Sequence, residues 1–292
     1  MIGLDAKEFE RITCNAPNRL HCRAKGDRMK SLLLALFATM LAAQPLSAQI
    51  PSAASSNTPA STATAPPQLT PEEREARIKA RREQMLKDWP NLARYREANA
   101  LVQQPVVAVF MGDSITELWS AKPDTFFPGK PYLNRGIGGQ TTPQMLLRFF
   151  QDVVELNPKV VVINGGTNDI AGNTGPSSIE MIEHNLEAMA EIAEAHGIRV
   201  VLTSVTPAFD YPWRKGLEPA SKVVALNAWI KDLCAKRHYV YADYFTPMAD
   251  EKQGMKEGLS VDGIHPTDAG YKIMAPIAES AITQTLQSAA TR

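Results

Sequence analysis

From about residue 105 onward the chain alternates short, continuous apolar runs with longer stretches in which apolar residues recur every three or four positions. The runs are Val106–Met111, Tyr132–Arg135, Val160–Asn164, Arg199–Ser204 and Tyr239–Ala242, each rich in β-branched or aromatic side chains, and each predicts a strand. Between them, Met145, Phe149 and Val153 fall on one helical face, and Ile179, Ile182, Leu186, Met189 and Ile192 fall on another. A last periodic stretch runs from Thr267, a suitable N-cap, through about Gln287, with Tyr271, Met274, Ile277, Ala278 and Ile282 as its apolar stripe. Helices and strands alternating in this way predict a five-stranded parallel sheet covered on both faces, a three-layer α/β/α sandwich. Such sheets bind ligands beyond the carboxyl ends of their strands.

The first hundred residues follow other patterns. Met29-Lys30, the apolar run Ser31–Ala43 and the small-residue site Leu46-Ser47-Ala48 read as a secretory signal peptide over 29–48. The run is shorter than the ~20 residues a membrane span needs. Residues 1–28 then stand as an upstream extension, with Met29 as the expected start. Residues 49–69, dominated by Ser, Ala, Thr and Pro, cannot bury enough apolar surface to fold and are expected to form a disordered tether. Thr70-Pro71-Glu72-Glu73 marks a helix start and opens an arm over 70–104, charged at first and apolar near Trp89, Leu92 and Tyr95. The globular domain occupies 105–292. Cleavage after Ala48 would leave 244 residues (292 less 48) and a single cysteine, Cys234, so no intramolecular disulfide and no lipid-bearing cysteine near the new N-terminus.

The candidate chemistry starts at Ser114, in the turn Gly112-Asp113-Ser114-Ile115-Thr116 that ends the first apolar run. Far downstream, Asp262-Gly263-Ile264-His265-Pro266 places a carboxylate and an imidazole on one loop. A serine hydroxyl is a weak nucleophile until a base with a pKa near 7 takes its proton, and a carboxylate on the second ring nitrogen fixes the base's tautomer. Two further segments follow strands and supply oxyanion donors. In Asn134-Arg135-Gly136-Ile137-Gly138-Gly139-Gln140 the paired glycines let a backbone N–H approach a ligand, and in Val160–Asn164 followed by Gly165-Gly166-Thr167-Asn168-Asp169 the Asn168 amide points beyond the sheet. Each such donor is worth roughly 3 kcal/mol in a transition state.

Gly-Asp-Ser, then Gly-Gly, then Gly-x-Asn-Asp, then Asp-x-x-His-Pro, in that order over about residues 105–290, resembles the SGNH/GDSL hydrolases. The resemblance implies a flavodoxin-like sandwich, a nucleophile at Ser114, a base at His265 and an orienting acid at Asp262. It also implies an oxyanion hole from the Ser114 and Gly139 N–H groups and the Asn168 side chain, with Gly138 as the alternative glycine. It is closest to the branch containing the platelet-activating-factor acetylhydrolase catalytic subunits, and sugar O-acetylesterases share these motifs. Tyr211, Trp213 and Ile264 are candidate substrate contacts, the aromatic pair as a stacking wall or acyl pocket.

Charge is balanced, with Lys+Arg 31 and Asp+Glu 31, so nothing draws the chain to nucleic acid or an anionic membrane. His184, His196 and His238 are scattered and no cysteines pair, so neither a metal site nor another cofactor is expected. Asp113 and Asp169 are read as acceptors that hold turns, and Cys234 as core. The function expected is that of an exported serine esterase, periplasmic or secreted, acting on a small-molecule or carbohydrate ester with a short acyl group, acetyl above all. The alternatives are a lysophospholipase or thioesterase for longer chains, and an inactive domain that binds carbohydrate.

Overall fold

The computed structural model describes residues 70–288 apart from 104 and 122–125. The expected upstream extension, signal segment and tether lie outside the described residues, as does the end of the chain beyond 288. Five strands, β1 (Ala108–Gly112), β2 (Tyr132–Gly136), β3 (Val160–Asn164), β4 (Arg199–Thr203) and β5 (Val240–Ala242), form one sheet in the order β2-β1-β3-β4-β5. All its pairings are parallel. The sheet agrees with the architecture expected from the apolar pattern, and the strand ends differ by one or two residues. Val106 and Val107 fall before the β1 ladder, although Val107 already exchanges backbone hydrogen bonds with Pro131 and Val160.

Strand geometry sends successive side chains to opposite faces, and the two cores divide accordingly. Val109, Met111, Val161 and Ile163 pack with α4 (Thr142–Asp152), α6 (Ile179–Ala195) and α7 (Ala220–Arg237). Ala108, Phe110, Val160 and Val162 pack with α3 (Ser114–Trp119) and α9 (Asp268–Gln287). Every residue of β1 and β3 is buried, which is why these strands are apolar without alternation. Met145, Phe149 and Val153 are fully buried, and Ile182, Leu186 and Met189 line the inner face of α6. Thr267 caps α9 by accepting from the Gly270 N–H, and Tyr271, Met274, Ala278 and Ile282 are its buried stripe. Cys234 is buried in α7.

Ahead of the sheet, α1 (Pro71–Lys87) opens with the expected capping box: Thr70 Oγ1 accepts from the Glu73 N–H and the Glu73 carboxylate accepts from the Thr70 N–H. The segment after it runs through α2 (Arg96–Ala100) along the domain. It is held there by side chains of the domain that donate to its backbone: Gln144 to the Trp89 carbonyl, Gln140 to that of Pro90 and Gln151 to that of Leu92. Among the described residues no helix is long and apolar enough to cross a membrane.

Candidate active site

In the order β2-β1-β3-β4-β5 the connections leave β1 and β3 in opposite directions, so a crevice opens beyond the carboxyl ends of these two strands. Ser114 follows β1 and begins α3. Asp113 caps that helix, its Oδ1 accepting the Ile115 N–H at 2.9 Å. Gly112 has no room for a side chain, because an added Cβ would lie 2.1 Å from Thr116 Oγ1 and 3.0 Å from the Asn164 carbonyl. The turn is therefore held close against β3, and Ser114 stands over the crevice. Tyr271 of α9 fixes the other side of α3 by donating to the Ile115 carbonyl at 2.8 Å.

The loop before α9 completes a hydrogen-bonded line. Ser114 Oγ lies 2.9 Å from His265 Nε2, and His265 Nδ1 lies 2.6 Å from Asp262 Oδ2. The second Asp262 oxygen accepts the N–H groups of Ile264 and His265, at 3.0 and 2.8 Å, so one carboxylate shapes the loop and orients the ring. Gly263 permits this tight return with φ at +82°. Ser260, which the sequence does not single out, braces the loop through the His265 carbonyl at 2.8 Å.

The electrostatics follow from these contacts. Burial opposes the charged form of Asp262, but the His265 ring and the two loop N–H groups outweigh it and hold the carboxyl well below the usual carboxylate range. Burial likewise pulls His265 down, and the hydrogen bond and charge of Asp262, with a smaller contribution from Asp113, carry it above its ordinary value. Asp113 is buried, and desolvation lifts its pKa to about 6 against the opposing effects of the Ile115 N–H and the charge of His265.

The candidate oxyanion donors Ser114, Gly139 and Asn168 line one cavity. The Ser114 and Gly139 N–H groups have no acceptor among the described residues, whereas the Gly138 N–H donates to Glu117 Oε2 at 2.8 Å. That contact separates the two glycines, which the sequence leaves as alternatives. Asn168 sits on α5 (Thr167–Ile170), with its Oδ1 accepting from Asn173 at 2.7 Å and its Nδ2 donating to Asp113 Oδ2 and the Gln140 carbonyl, at 3.1 and 3.0 Å. Both amide protons are thus in use, and donation to an oxyanion calls for sharing one of them. Asp169 accepts from the Thr142 N–H and Oγ1 and so ties its segment to the start of α4, 27 residues away along the chain.

The candidate substrate contacts separate. Trp213 is 42% exposed, lines the cavity above Ser114, and donates to Asn173 Oδ1 at 3.0 Å. Tyr211 and Ile264 are 0% and 1% exposed and pack within the core, so neither presents a surface to substrate, which corrects the expectation from the sequence. Tyr211 serves as a support, its ring 5.1 Å from that of Trp213. The cavity, about 660 Å³, has a wall the sequence did not suggest: Arg77, Gln84 and Met85 of α1, then Trp89, Asn91 and Arg94.

The sequence model of the GDSL-like lipase/acylhydrolase family matches residues 110–273. A crystal structure of a candidate acylhydrolase from Bacteroides fragilis is 40% identical, with a TM-score of 0.66, the alignment covering 68% of this chain and 99% of that one. A GDSL-like lipase from Bacteroides thetaiotaomicron is 41% identical, with a TM-score of 0.65 and the same coverage, 68% and 99%. The uncharacterized lipoprotein YqeF of Bacillus subtilis is 40% identical over 114 residues, 38% of this chain and 47% of the relative, so the chain spans about half the length of that curated protein. Matching the family over most of its sheet, and two solved relatives almost end to end, the chain belongs to the GDSL-like lipase/acylhydrolase family and is a carboxylic ester hydrolase.

Proposed function

We propose that the protein is an exported serine esterase that removes short acyl groups, acetyl above all, from a polar alcohol such as a carbohydrate. The observation that carries the reading is the line Ser114–His265–Asp262 opening on a cavity of mixed polar and aromatic lining, beside two uncommitted N–H groups. His265 Nε2 takes the Ser114 proton as Oγ bonds to the acyl carbon, and the carbonyl oxygen becomes an oxyanion that the Ser114 and Gly139 N–H groups and Asn168 receive. The intermediate collapses as His265 returns the proton to the departing alcohol, leaving an acyl-serine. Water, deprotonated by the same imidazole, then frees the acid and restores Ser114.

The lining of the cavity supports a short acyl group and a polar alcohol. Met85 and Ile137 are its only aliphatic residues among the described ones, so the rest of its apolar surface is supplied largely by the rings of Trp89 and Trp213, which suit a flat ligand better than a flexible long acyl chain. Trp89 and Trp213, 36% and 42% exposed, offer ring faces of the kind that stack on sugars, and Gln84 and Asn91 offer hydrogen bonds. Export is supported by the signal-like segment 29–48 and by the name lipoprotein given to the Bacillus subtilis relative.

The test is hydrolysis of p-nitrophenyl esters of increasing acyl length beside acetylated xylan and sugar acetates, with Ser114→Ala as the control. Rates should fall from acetate to longer esters, and Ser114→Ala should retain only residual catalysis, ~10³-fold over water. A well-folded Ser114→Ala protein keeping a tenth of the turnover removes the nucleophile assignment. Faster cleavage of dodecanoate than acetate replaces the short-acyl reading with the lysophospholipase or thioesterase one.

A further inference from the structure

We infer that the segment Trp89–Asn99, together with Glu117, positions the oxyanion turn Gly136–Gln140, and that Arg94, Tyr95 and Glu117 are positioning residues for the hydrolysis. The inference rests on the reading of Gly139 as an oxyanion donor. The segment lies outside the residues matched by the family model, 110–273.

The contacts reach alternate residues of the turn from its outer side. Tyr95 Oη donates to the Gly136 carbonyl. Arg94 Nη2 pairs with Glu117 Oε1 at 3.2 Å, while Glu117 Oε2 accepts the Gly138 N–H at 2.8 Å. Gln140 donates to the Pro90 carbonyl at 2.7 Å, and its own side-chain oxygen accepts from Arg148 at 2.6 Å. The Tyr95 ring is itself held under the Arg135 guanidinium, 4.8 Å from the ring centroid, and Arg135 donates to Asn99 at 2.7 Å. Gly136, Gly138 and Gln140 are thereby each tied down, and the Gly139 N–H between them is left free.

Glu117 is the joint of this arrangement. It lies three residues after Ser114 on α3, so one side chain links the helix of the nucleophile to the turn of the oxyanion donor. The fit leaves no slack: a Cβ at Gly136 would lie 2.2 Å from the Glu117 N, and one at Gly138 2.8 Å from Glu117 Oε2. Gly139 has φ at +74°, a conformation that glycine enters at no steric cost but does not hold by itself. An oxyanion donor works by being aimed before charge develops, so a turn free to reorient loses rate without losing substrate affinity. The Arg94–Glu117 pair is partly exposed, with side chains 49% and 31% accessible, and acts by direction more than by strength.

Steady-state kinetics on p-nitrophenyl acetate, with a melting curve for each variant, test the inference. Glu117→Ala should lower kcat roughly 10- to 100-fold while KM stays within about threefold. Glu117→Gln, whose amide oxygen still accepts the Gly138 N–H, should recover most of that loss. The double variant Arg94→Ala/Tyr95→Phe should lower kcat several-fold with KM unmoved. Inhibition by a boronic acid that mimics the tetrahedral intermediate should weaken in step with kcat/KM. Folded Glu117→Ala and Arg94→Ala/Tyr95→Phe proteins with at least half the wild-type kcat, or equal losses in Glu117→Gln and Glu117→Ala, overturn the inference. Should Glu117→Ala fail to fold, the arm double variant decides by the same criterion. Turnover surviving in Ser114→Ala removes this inference together with the serine-esterase reading, whereas an inactive Ser114→Ala beside a fully active Glu117→Ala removes this one alone.

Discussion

At the scale of single residues the site is a balance of burial against charge. In the proposed mechanism His265 must be neutral to accept the Ser114 proton, and its pKa lies above the ordinary value because Asp262, helped by Asp113, outweighs burial. The acid limb of kcat/KM is therefore expected above ~6.5. Replacing Asp113 by Asn removes a charge that favours the imidazolium, so the limb should move to lower pH. A limb unmoved or moved upward in a folded variant counts against this account. Stability has a different profile. Asp113 and Asp169 both have pKa raised to about 6 by burial, so the folded chain retains protons that the unfolded chain releases. Their effect on stability is most favourable in acid and is lost as pH rises from about 4 to about 6. His265, also raised, contributes below its unfolded pKa and loses that contribution as pH climbs through the folded value. Asp262, depressed, works the other way and loses its contribution on acidification. On acidification from pH 8 to 5, turnover should therefore fall before the melting temperature does. A parallel fall of both would show that the domain, and not the imidazole, is titrating.

At the scale of elements, one buried ion pair ties the site to the sheet. Arg148 and Asp152, one turn apart on α4, both have side chains 0% accessible and meet at 3.0 Å. Arg148 also donates to the Gly112 carbonyl at the end of β1 at 3.0 Å and to Gln140 at 2.6 Å. Helix, strand end and the turn Gly136–Gln140 thus converge on one guanidinium. Desolvation disfavours its charge, and the neighbouring carboxylate offsets that cost in part. Arg148→Met would leave Asp152 buried without its cation and should cost ~3–5 kcal/mol in urea denaturation. The double variant Arg148→Met/Asp152→Leu should recover part of the loss. A single-variant cost under about 1 kcal/mol would show that the pair does not hold α4 to β1. The periodicity of α4 placed Met145, Phe149 and Val153 on its buried face, but gave no sign that Arg148 lies on the inner side as well. A hydrophobic pattern marks what water expels, whereas a buried cation is tolerated only where specific acceptors surround it.

For the whole molecule, the export reading predicts that expression in a host with a periplasm yields activity in that compartment and a mature chain beginning at Gln49. Intact-mass or N-terminal analysis checks it, and an active chain that stays cytoplasmic with residues 29–48 attached rejects it. The layers of the fold were legible in the chain because sheet burial imposes continuous apolar strands and helix burial imposes a period near 3.6. That Ser114, Asp262 and His265 belong together, the hydrogen-bonded line seen in the structure, was legible because the chemistry proposed for them needs those residue types in turns that follow strands or precede a capped helix. What the sequence could not decide depends on contacts between segments far apart along it. The free Gly139 N–H is distinguished from Gly138 by Glu117, on another element. Tyr211 and Trp213, two residues apart, end on opposite sides of the molecular surface, one in the core and one on the cavity. The arm reads locally as a charged helix and a short apolar patch, yet folding brings Trp89 and Arg94 to the cavity wall and Tyr95 to the turn Gly136–Gln140. Local patterns determine which segments are buried and what chemistry they carry, but which side chain faces substrate, and which holds the others in place, is decided only when the segments meet.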